Sequence, residues 1–436
     1  MTKKETMIMD PIHGFINISV YPVIEELVES KYFQRLRRLA QLGPTSNVYP
    51  NATHSRFAHC LGVMHVFLIL FDAITRKEEN VFPDLENKRM IGAITALLHD
   101  VGHGPFSHAS EGILDKAVGK FIHEEMTCSI ITNTEVSDIL KKYGIDPHSV
   151  CDLINHIDSK EWRLVSQLVS SQLDADRLDY LMRDSYFTGV NYGRIDLYRI
   201  ANTMEIWHGD SKDPFNDTAI INHKGIGAIE NYILGRHLMY EGVYFHKLSR
   251  CMELLLQNVF KRAAKLDDSI TNLSSVMDIN TKTTPELLYE MDDSSCTALF
   301  HKWTNSNDDI LKDLSIRILE RRRLSSVSLS TEKYTKLGAI QIGKLPELVK
   351  TAGFSEDYYY IEDNYEKSAY DMYNPEELED GGFSPIGHIM TPNDNKLQEI
   401  SSRSKVIKTL SEIENKKIRI FIPEEVLPGV KQIVGT

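Results

Sequence analysis

Between Val23 and Leu42 the chain reads VIEELVESKYFQRLRRLAQL, with apolar residues at helical spacings and Arg35, Arg37 and Arg38 among them. That periodicity predicts one or two amphipathic helices. From Arg56 to Ile74 the chain is rich in Leu, Val, Phe and Met with its polar residues on one side, and MIGAITALL runs straight into HDVGHGPFSH. These segments predict two buried helices that carry histidines toward a common interior. WRLVSQLVSSQLDADRLDYLMRD and IGAIENYILGRHLMYEGVYFHKLSRCMELLLQNVFKRAA have long helical periodicity with few breakers, so the first three quarters of the chain read as mainly α. Between them SKDPFNDTAIINHKG brackets a brief β-branched run with Pro, Asn, Asp and Gly, which predicts a loop or hairpin on the surface. After Arg323 the pattern shifts to SSVSLSTEKYTK, a tyrosine-rich acidic stretch EDYYYIEDNYEKSAYDMYNP and the strand-like KIRIFIP. The tyrosines read as half-buried strand faces. The fold class is therefore mainly α, with a helical core over residues 1–323 and a smaller α+β C-terminal lobe over residues 324–436.

A length of 436 residues fits one large domain plus a smaller lobe. Its 42% hydrophobic and 25% charged residues are the balance of a globular chain that buries a substantial core. A formal net charge of -13 repels the phosphates of duplex DNA, so duplex binding is not expected. A small polyanionic substrate remains compatible, because a pocket needs only a few converging Arg and Lys side chains. No apolar stretch of signal-peptide length follows the N-terminal MTKKETMIMDPIHGF, and no uninterrupted transmembrane run is expected, which points to a cytoplasmic protein without a membrane partner. The five cysteines form no Cys-x-x-Cys pair, so they are expected to be reduced and buried.

His59, the His99-Asp100 pair and Asp176 bring together imidazole and carboxylate donors, which suit Zn, Mn or Fe better than Ca. His99 and Asp100 end an apolar helix and are followed by a Gly-rich turn bearing His103 and His108. Burying so many ionisable groups is costly unless a metal or anion compensates. From these residues alone two readings stand: a metal site, or a helix-terminal histidine beside a solvated aspartate.

The set His59, His99-Asp100 and Asp176 resembles the H…HD…D metal-binding set of the HD phosphohydrolase superfamily. DPIHGFI at Asp10, FQRLRRLAQLG at Phe33, HSRFAHCLGV at His54, HDVGHGPFSH at His99 and DADRLDYLMRD at Asp174 follow the order and approximate spacing of deoxynucleoside triphosphate triphosphohydrolases. These include the sterile-alpha-motif and HD-domain enzymes of animals and their bacterial relatives. The resemblance runs from Asp10 to Lys247 and more loosely to Arg323.

It implies a mainly α HD core whose His59, His99, Asp100 and Asp176 hold a divalent transition metal, with Mg arriving on the substrate phosphates. Attack at the α-phosphorus would release deoxynucleoside and inorganic triphosphate. By the same resemblance His108, supported by Glu111, is the general acid, His103 and His123 contact phosphate or assist proton traffic, and Arg56 lies beside the α-phosphate. Arg177, Arg236 and Lys247 match phosphate-gripping positions. Tyr180 and Asp184 match residues that recognise the sugar and its 3′-hydroxyl, Gln41 and Leu42 lie beside it, and Tyr244 matches an aromatic that crowds the 2′ carbon. Tyr240 replaces a histidine of the animal enzyme. Glu29, Gln34 and Arg37 match a guanine-reading activator site, and Arg199 and Lys224 match phosphate contacts of a second nucleotide site between subunits, so a guanine nucleotide activator and a homotetramer are expected. Met9 and Asn222 depart from that pattern, where the animal enzyme has asparagine and arginine. The alternatives are an HD phosphohydrolase acting on another nucleotide or nucleic-acid phosphoester, and a non-catalytic nucleotide sensor.

Overall fold

The computed structural model describes residues 5–76, 84–111, 114, 121–155, 159–209, 213, 215–277, 282–365, 370, 388–394, 396–413 and 417–435. A hairpin of β1 (Met7–Asp10) and β2 (Gly14–Asn17) opens the fold, with Asp10 opposite Gly14. There follow α1 (Pro22–Glu29), α2 (Lys31–Arg35), α3 (Arg56–Thr75), α4 (Leu85–Leu98), α5 (His108–Glu111), α6 (His123–Asn133), α7 (Glu135–Lys142), α8 (Pro147–Ile154), α9 (Arg163–Val169), α10 (Ala175–Thr188) and α11 (Leu197–Thr203). A second antiparallel hairpin, β3 (Met204–Trp207) with β4 (Thr218–Ile221), precedes α12 (Ile226–Met239) and α13 (Lys247–Ala263). Next come α14 (Asp268–Thr271), α15 (Pro285–Glu290), α16 (Asp293–Trp303) and α17 (Asp309–Leu319).

The organising element is α3, apolar on every side, as a helix enclosed by others must be. By length and composition it is long and apolar enough to cross a membrane, contrary to the sequence expectation, yet 72% of its most apolar stretch is buried within the fold. Ser55 caps its N-terminus by accepting from the Ala58 amide, so Arg56 and His59 sit in the first turns. It packs against α4 and α10. The crossing with α10 is close because Gly62 has no side chain: a Cβ there would lie 1.9 Å from Asp179 Oδ1. WRLVSQLVSSQLDADRLDYLMRD is two helices rather than one, since Asp174 accepts from the Arg177 amide at 2.7 Å and restarts the chain as α10.

The C-terminal region comprises β5 (Ser325–Ser330), α18 (Thr331–Thr351, interrupted at Gly338), α19 (Glu356–Tyr359), β6 (Ile361–Tyr365), β7 (Met390–Asn393), β8 (Lys396–Glu399), α20 (Lys405–Glu412), β9 (Lys417–Ile422) and α21 (Leu427–Val434). Its antiparallel sheet has the order β5-β9-β6, with Ser325 and Ile361 opposite Ile422 and Phe421. KIRIFIP supplies the central strand, as its pattern predicts. Tyr358 and Tyr359, read as strand residues, lie buried in α19 instead, and the rest of the tyrosine-rich stretch beyond residue 365, except Tyr370, lies outside the described residues. The SKDPFNDTAIINHKG excursion does form a hairpin arm, but β4 is buried rather than on the surface, because Gln167 of α9 exchanges hydrogen bonds with Ala219 and β7 packs alongside. One continuous cluster of buried side chains runs from Ile16 to Val434, across both regions.

Candidate active site

Three elements converge on one group of donors. His59 comes from the first turns of α3, His99 and Asp100 follow the end of α4, and Asp176 lies in the first turn of α10. Ligand atoms of His59, His99 and Asp100 lie within 4.8 Å of one another. His59 Nε2 is 3.1 Å and His99 Nε2 3.6 Å from Asp176 Oδ1, while Asp100 Oδ1 lies 3.4 Å from His99 Nε2. Both Nε2 atoms are buried and find no hydrogen-bond partner among the described residues. Their other nitrogens are committed, His59 Nδ1 to Asp179 at 2.8 Å and His99 Nδ1 to the Ala96 carbonyl at 2.9 Å. With the proton held at Nδ1, each ring turns a lone pair toward the carboxylates, the tautomer a metal ligand needs. The donor set therefore fits a divalent cation.

Electrostatics agree. Burial works against a charged His59, yet Asp176 and Asp179 outweigh it and raise its pKa to about 10. Burial also opposes ionisation of Asp176 and Asp100, but His59 and His99 hold the first below the usual carboxylate range, and His99, Arg56 and His103 hold the second there. Both shifts reflect pairing of imidazolium with carboxylate, and a divalent cation would take the place of the protons between them.

Behind the ligands lies a support that the sequence reading missed. Asp179 Oδ1 contacts His13 Nε2 at 2.6 Å and accepts from Arg183 at 2.9 Å, and Arg183 reaches on to Asp10 at 2.7 Å. Asp10 Oδ1 in turn accepts from the amides of Ile12 and His13. Asp179 and Arg183 are completely buried. The available signal was spacing: Asp179 follows Asp176 by one helical turn and precedes Arg183 by another, inside a motif already quoted.

A second group adjoins the first. His103 Nε2 is 3.2 Å from Asp100 Oδ1, and its ring stacks on His123 at 4.0 Å between centroids. Glu111 Oε1 lies 3.1 Å from His123 Nδ1 and 3.6 Å from His103 Nδ1. Burial, then Arg56, drives the His103 pKa well down, whereas Glu111 raises that of His123 against burial. Arg56 forms an ion pair with Asp100 and donates to Ser107 Oγ at 2.6 Å. His108 opens α5, but its side chain lies outside the described residues.

These groups border a cleft of about 530 Å³. Its lining includes Gln41 and Leu42, Arg56, Asp100, His103, His123 and Asp176, and Arg177, Tyr180, Asp184, Tyr240 and Tyr244. Arg177 is held by Asp174 at 2.5 Å. Asp184 is not free: Tyr244 donates to one oxygen at 2.7 Å and His54 contacts the other at 2.8 Å. Tyr240 and Tyr244 reach the cleft through a π-helical turn, Tyr240–Tyr244, where Phe245 N donates to Tyr240 O at 2.8 Å. Arg236 is buried with its guanidinium 5.7 Å from the Tyr240 ring centre, and its Nε and one terminal nitrogen are unpaired among the described residues. Neither Arg236 nor the exposed Lys247 is among the cleft-lining side chains. Ser249, Arg250 and Glu253 are, and they were not foreseen.

Glu29, Gln34 and Arg37 lie together on another part of the surface, Arg37 Nε donating to Gln34 Oε1 at 2.8 Å. Arg199 and Lys224 are exposed neighbours, the arginine donating to the Lys224 carbonyl at 3.0 Å.

Residues 56–184 match the HD domain family and residues 195–347 the HD associated region. This chain belongs to the HD-domain family of metal-dependent phosphohydrolases. It is 33% identical to the uncharacterized protein YwfO of Bacillus subtilis (strain 168) over 97% of this chain and 93% of that protein. It is 31% identical to the deoxynucleoside triphosphate triphosphohydrolase SAMHD1 homolog of Dictyostelium discoideum, over 65% of this chain and 57% of that protein. The crystal structure of a phosphohydrolase from Bacteroides thetaiotaomicron VPI-5482 superposes with a TM-score of 0.77 at 28% identity, covering 97% of this chain and 100% of that one.

Proposed function

We propose that the chain hydrolyses deoxynucleoside triphosphates to deoxynucleoside and inorganic triphosphate. The observation that carries this reading is the cleft itself: its lining joins Asp100 and Asp176 of the donor group, the arginines Arg56 and Arg177, and the tyrosines Tyr180, Tyr240 and Tyr244. Phosphates need the first two, and a sugar and base fit the third. The relatives named as deoxynucleoside triphosphate triphosphohydrolases support the same choice.

His59, His99, Asp100 and Asp176 would hold the divalent ion, which supplies charge neutralisation and an activated water when bound. Arg56 already faces Asp100 and orients beside that centre, while Asp174 aims Arg177 along the cleft. His123, its charged form favoured by Glu111, and His108 on the same short helix as Glu111 are the proton donors for the departing 5′ oxygen. Tyr244, fixed by Asp184, stands against the sugar and crowds a 2′-hydroxyl.

The test is incubation with each deoxynucleoside triphosphate and Mn or Mg, with chromatographic separation of products. Deoxynucleoside plus triphosphate is the expected pair; monophosphate plus pyrophosphate, or no turnover with either metal, would overturn the reading. Wild type should prefer dGTP to GTP, and Tyr244→Ala should narrow that preference more than it slows triphosphate release. Equal wild-type turnover of GTP and dGTP would remove Tyr244 from this role.

A further inference from the structure

Away from the cleft, α6 and α8 pack face to face and bring two cysteines together. Cys128 lies on α6 and Cys151 on α8. Each sulfur approaches the other residue's carbonyl oxygen, Cys128 Sγ at 3.9 Å and Cys151 Sγ at 3.8 Å. The reciprocal approach sets each sulfur against the other residue's backbone, the proximity that a disulfide between them requires. Asn155 Nδ2 donates to Cys128 Sγ at 3.5 Å.

We propose that Cys128 and Cys151 are a reversible redox pair, in which a peroxide oxidises Cys128 and Cys151 then closes an intramolecular disulfide between α6 and α8. The two sulfurs are not equivalent. Cys128 is partly exposed, and the neighbouring Cys151 thiol and the Asn155 amide lower its pKa; Cys151 is buried, its thiol faces the Cys128 carbonyl, and the nearby Cys128 and burial raise its pKa. Cys128 is thus the attacking sulfur and Cys151 the resolving one. The Cys128 thiolate attacks one peroxide oxygen, the O–O bond breaks, and Cys128 becomes a sulfenic acid while the leaving hydroxide takes up a proton as water. Cys151 then loses its proton and attacks the Cys128 sulfur, the S–O bond breaks, the S–S bond forms, and a second water departs. Peroxide gains two electrons and the two thiols lose them. Cys60, Cys251 and Cys296 do not compete, because each is buried and burial raises its pKa. Cys128 sits on the helix whose first residue, His123, borders the cleft. The inference does not depend on the substrate proposed above.

The experiment uses the full chain, reduced, desalted and exposed to a small excess of hydrogen peroxide, then quenched with catalase and denatured in N-ethylmaleimide. The expected product has lost the mass of two hydrogen atoms, carries maleimide on three of the five cysteines, yields one linked peptide pair containing Cys128 and Cys151, and reverts with dithiothreitol. In Cys151→Ser, dimedone should label Cys128; in Cys128→Ser the peroxide response should vanish. The wild-type measurement stands whether or not either variant folds. Five maleimide adducts after peroxide treatment, a disulfide between other cysteines, or preferential dimedone labelling at Cys151 would overturn the proposal.

Discussion

His59 uses both ring nitrogens: Nδ1 rests on Asp179 and Nε2 faces Asp100 and Asp176. Removing the ring in His59→Ala, or the carboxylate in Asp176→Ala, takes away a ligand that no neighbour in a helix can replace. Both variants should lose bound metal, by elemental analysis, and nearly all turnover. Asp179→Asn is the sharper test, because Asp179 is not itself a candidate ligand but supports one, His59. An amide at that place keeps the shape but loses the charge that fixes the His59 tautomer, and changes to such supporting residues cost about 10–100-fold in metal affinity. A competition titration against a chelator should show that loss; unchanged affinity would mean that Asp179 serves the fold alone. The candidate metal ligands could be named from the sequence because the motifs place them at family spacings, and the structure brings His59, His99, Asp100 and Asp176 together. The partners of the ligands could not: His13 and Asp179 are 166 residues apart, and only the packing of the β1–β2 hairpin against α10 joins them.

Element by element, hydrophobic periodicity located α3 and α4, but not the direction their polar residues face. It also missed breaks made by capping and hydrogen bonding rather than by Gly or Pro. Asp174 separates α9 from α10, and a π-helical turn that ends α12 carries Tyr240 and Tyr244, both of which border the cleft. The strand β4 was misplaced because a short run of β-branched residues does not say what covers it, and here Gln167 and β7 do. Gly62 shows how an element positions chemistry. In an isolated helix Gly→Ala is stabilising by roughly 1 kcal/mol. At this crossing the added Cβ meets Asp179 Oδ1 at 1.9 Å and Arg183 at 2.4 Å, and overpacking of that kind costs about 1–3 kcal/mol. The clash should win, so Gly62→Ala is expected to lower stability in chemical denaturation and also to weaken metal binding, since Asp179 must move. An unchanged denaturation midpoint and metal affinity would show that α3 and α10 separate without consequence.

Across the whole molecule, the C-terminal sheet is tied to the cleft wall. Arg250, which lines the cleft, pairs with Asp363 of β6 at 2.7 Å, and Arg419 of β9 donates to the Phe245 carbonyl at 3.1 Å. A second connection runs from the opposite side. Arg37 lies 3.6 Å from the centre of the Phe57 ring, and Phe57 directly follows Arg56, whose guanidinium pairs with Asp100. Arg35, two residues away, donates to the His103 carbonyl at 2.8 Å. A ligand that engages Arg37 must compete with its stacking on Phe57, so binding there has a physical route to bias the position of Arg56. Such a ligand raises activity only if it favours the competent arrangement over the others, and coupling of this kind is typically about 5–150-fold. The resemblance of Glu29, Gln34 and Arg37 to a guanine-reading site names the ligand to try: the Glu29 carboxylate is exposed, and a carboxylate has the acceptor oxygens that the N1–H and exocyclic amine of guanine would need. Turnover of dATP should therefore rise with added dGTP, and molecular mass by light scattering should shift toward a tetramer as it does. Glu29→Ala should lose the stimulation. A dATP rate indifferent to dGTP, at a constant monomer mass, would sink this regulation while leaving the triphosphate-releasing chemistry to stand on its own product assay.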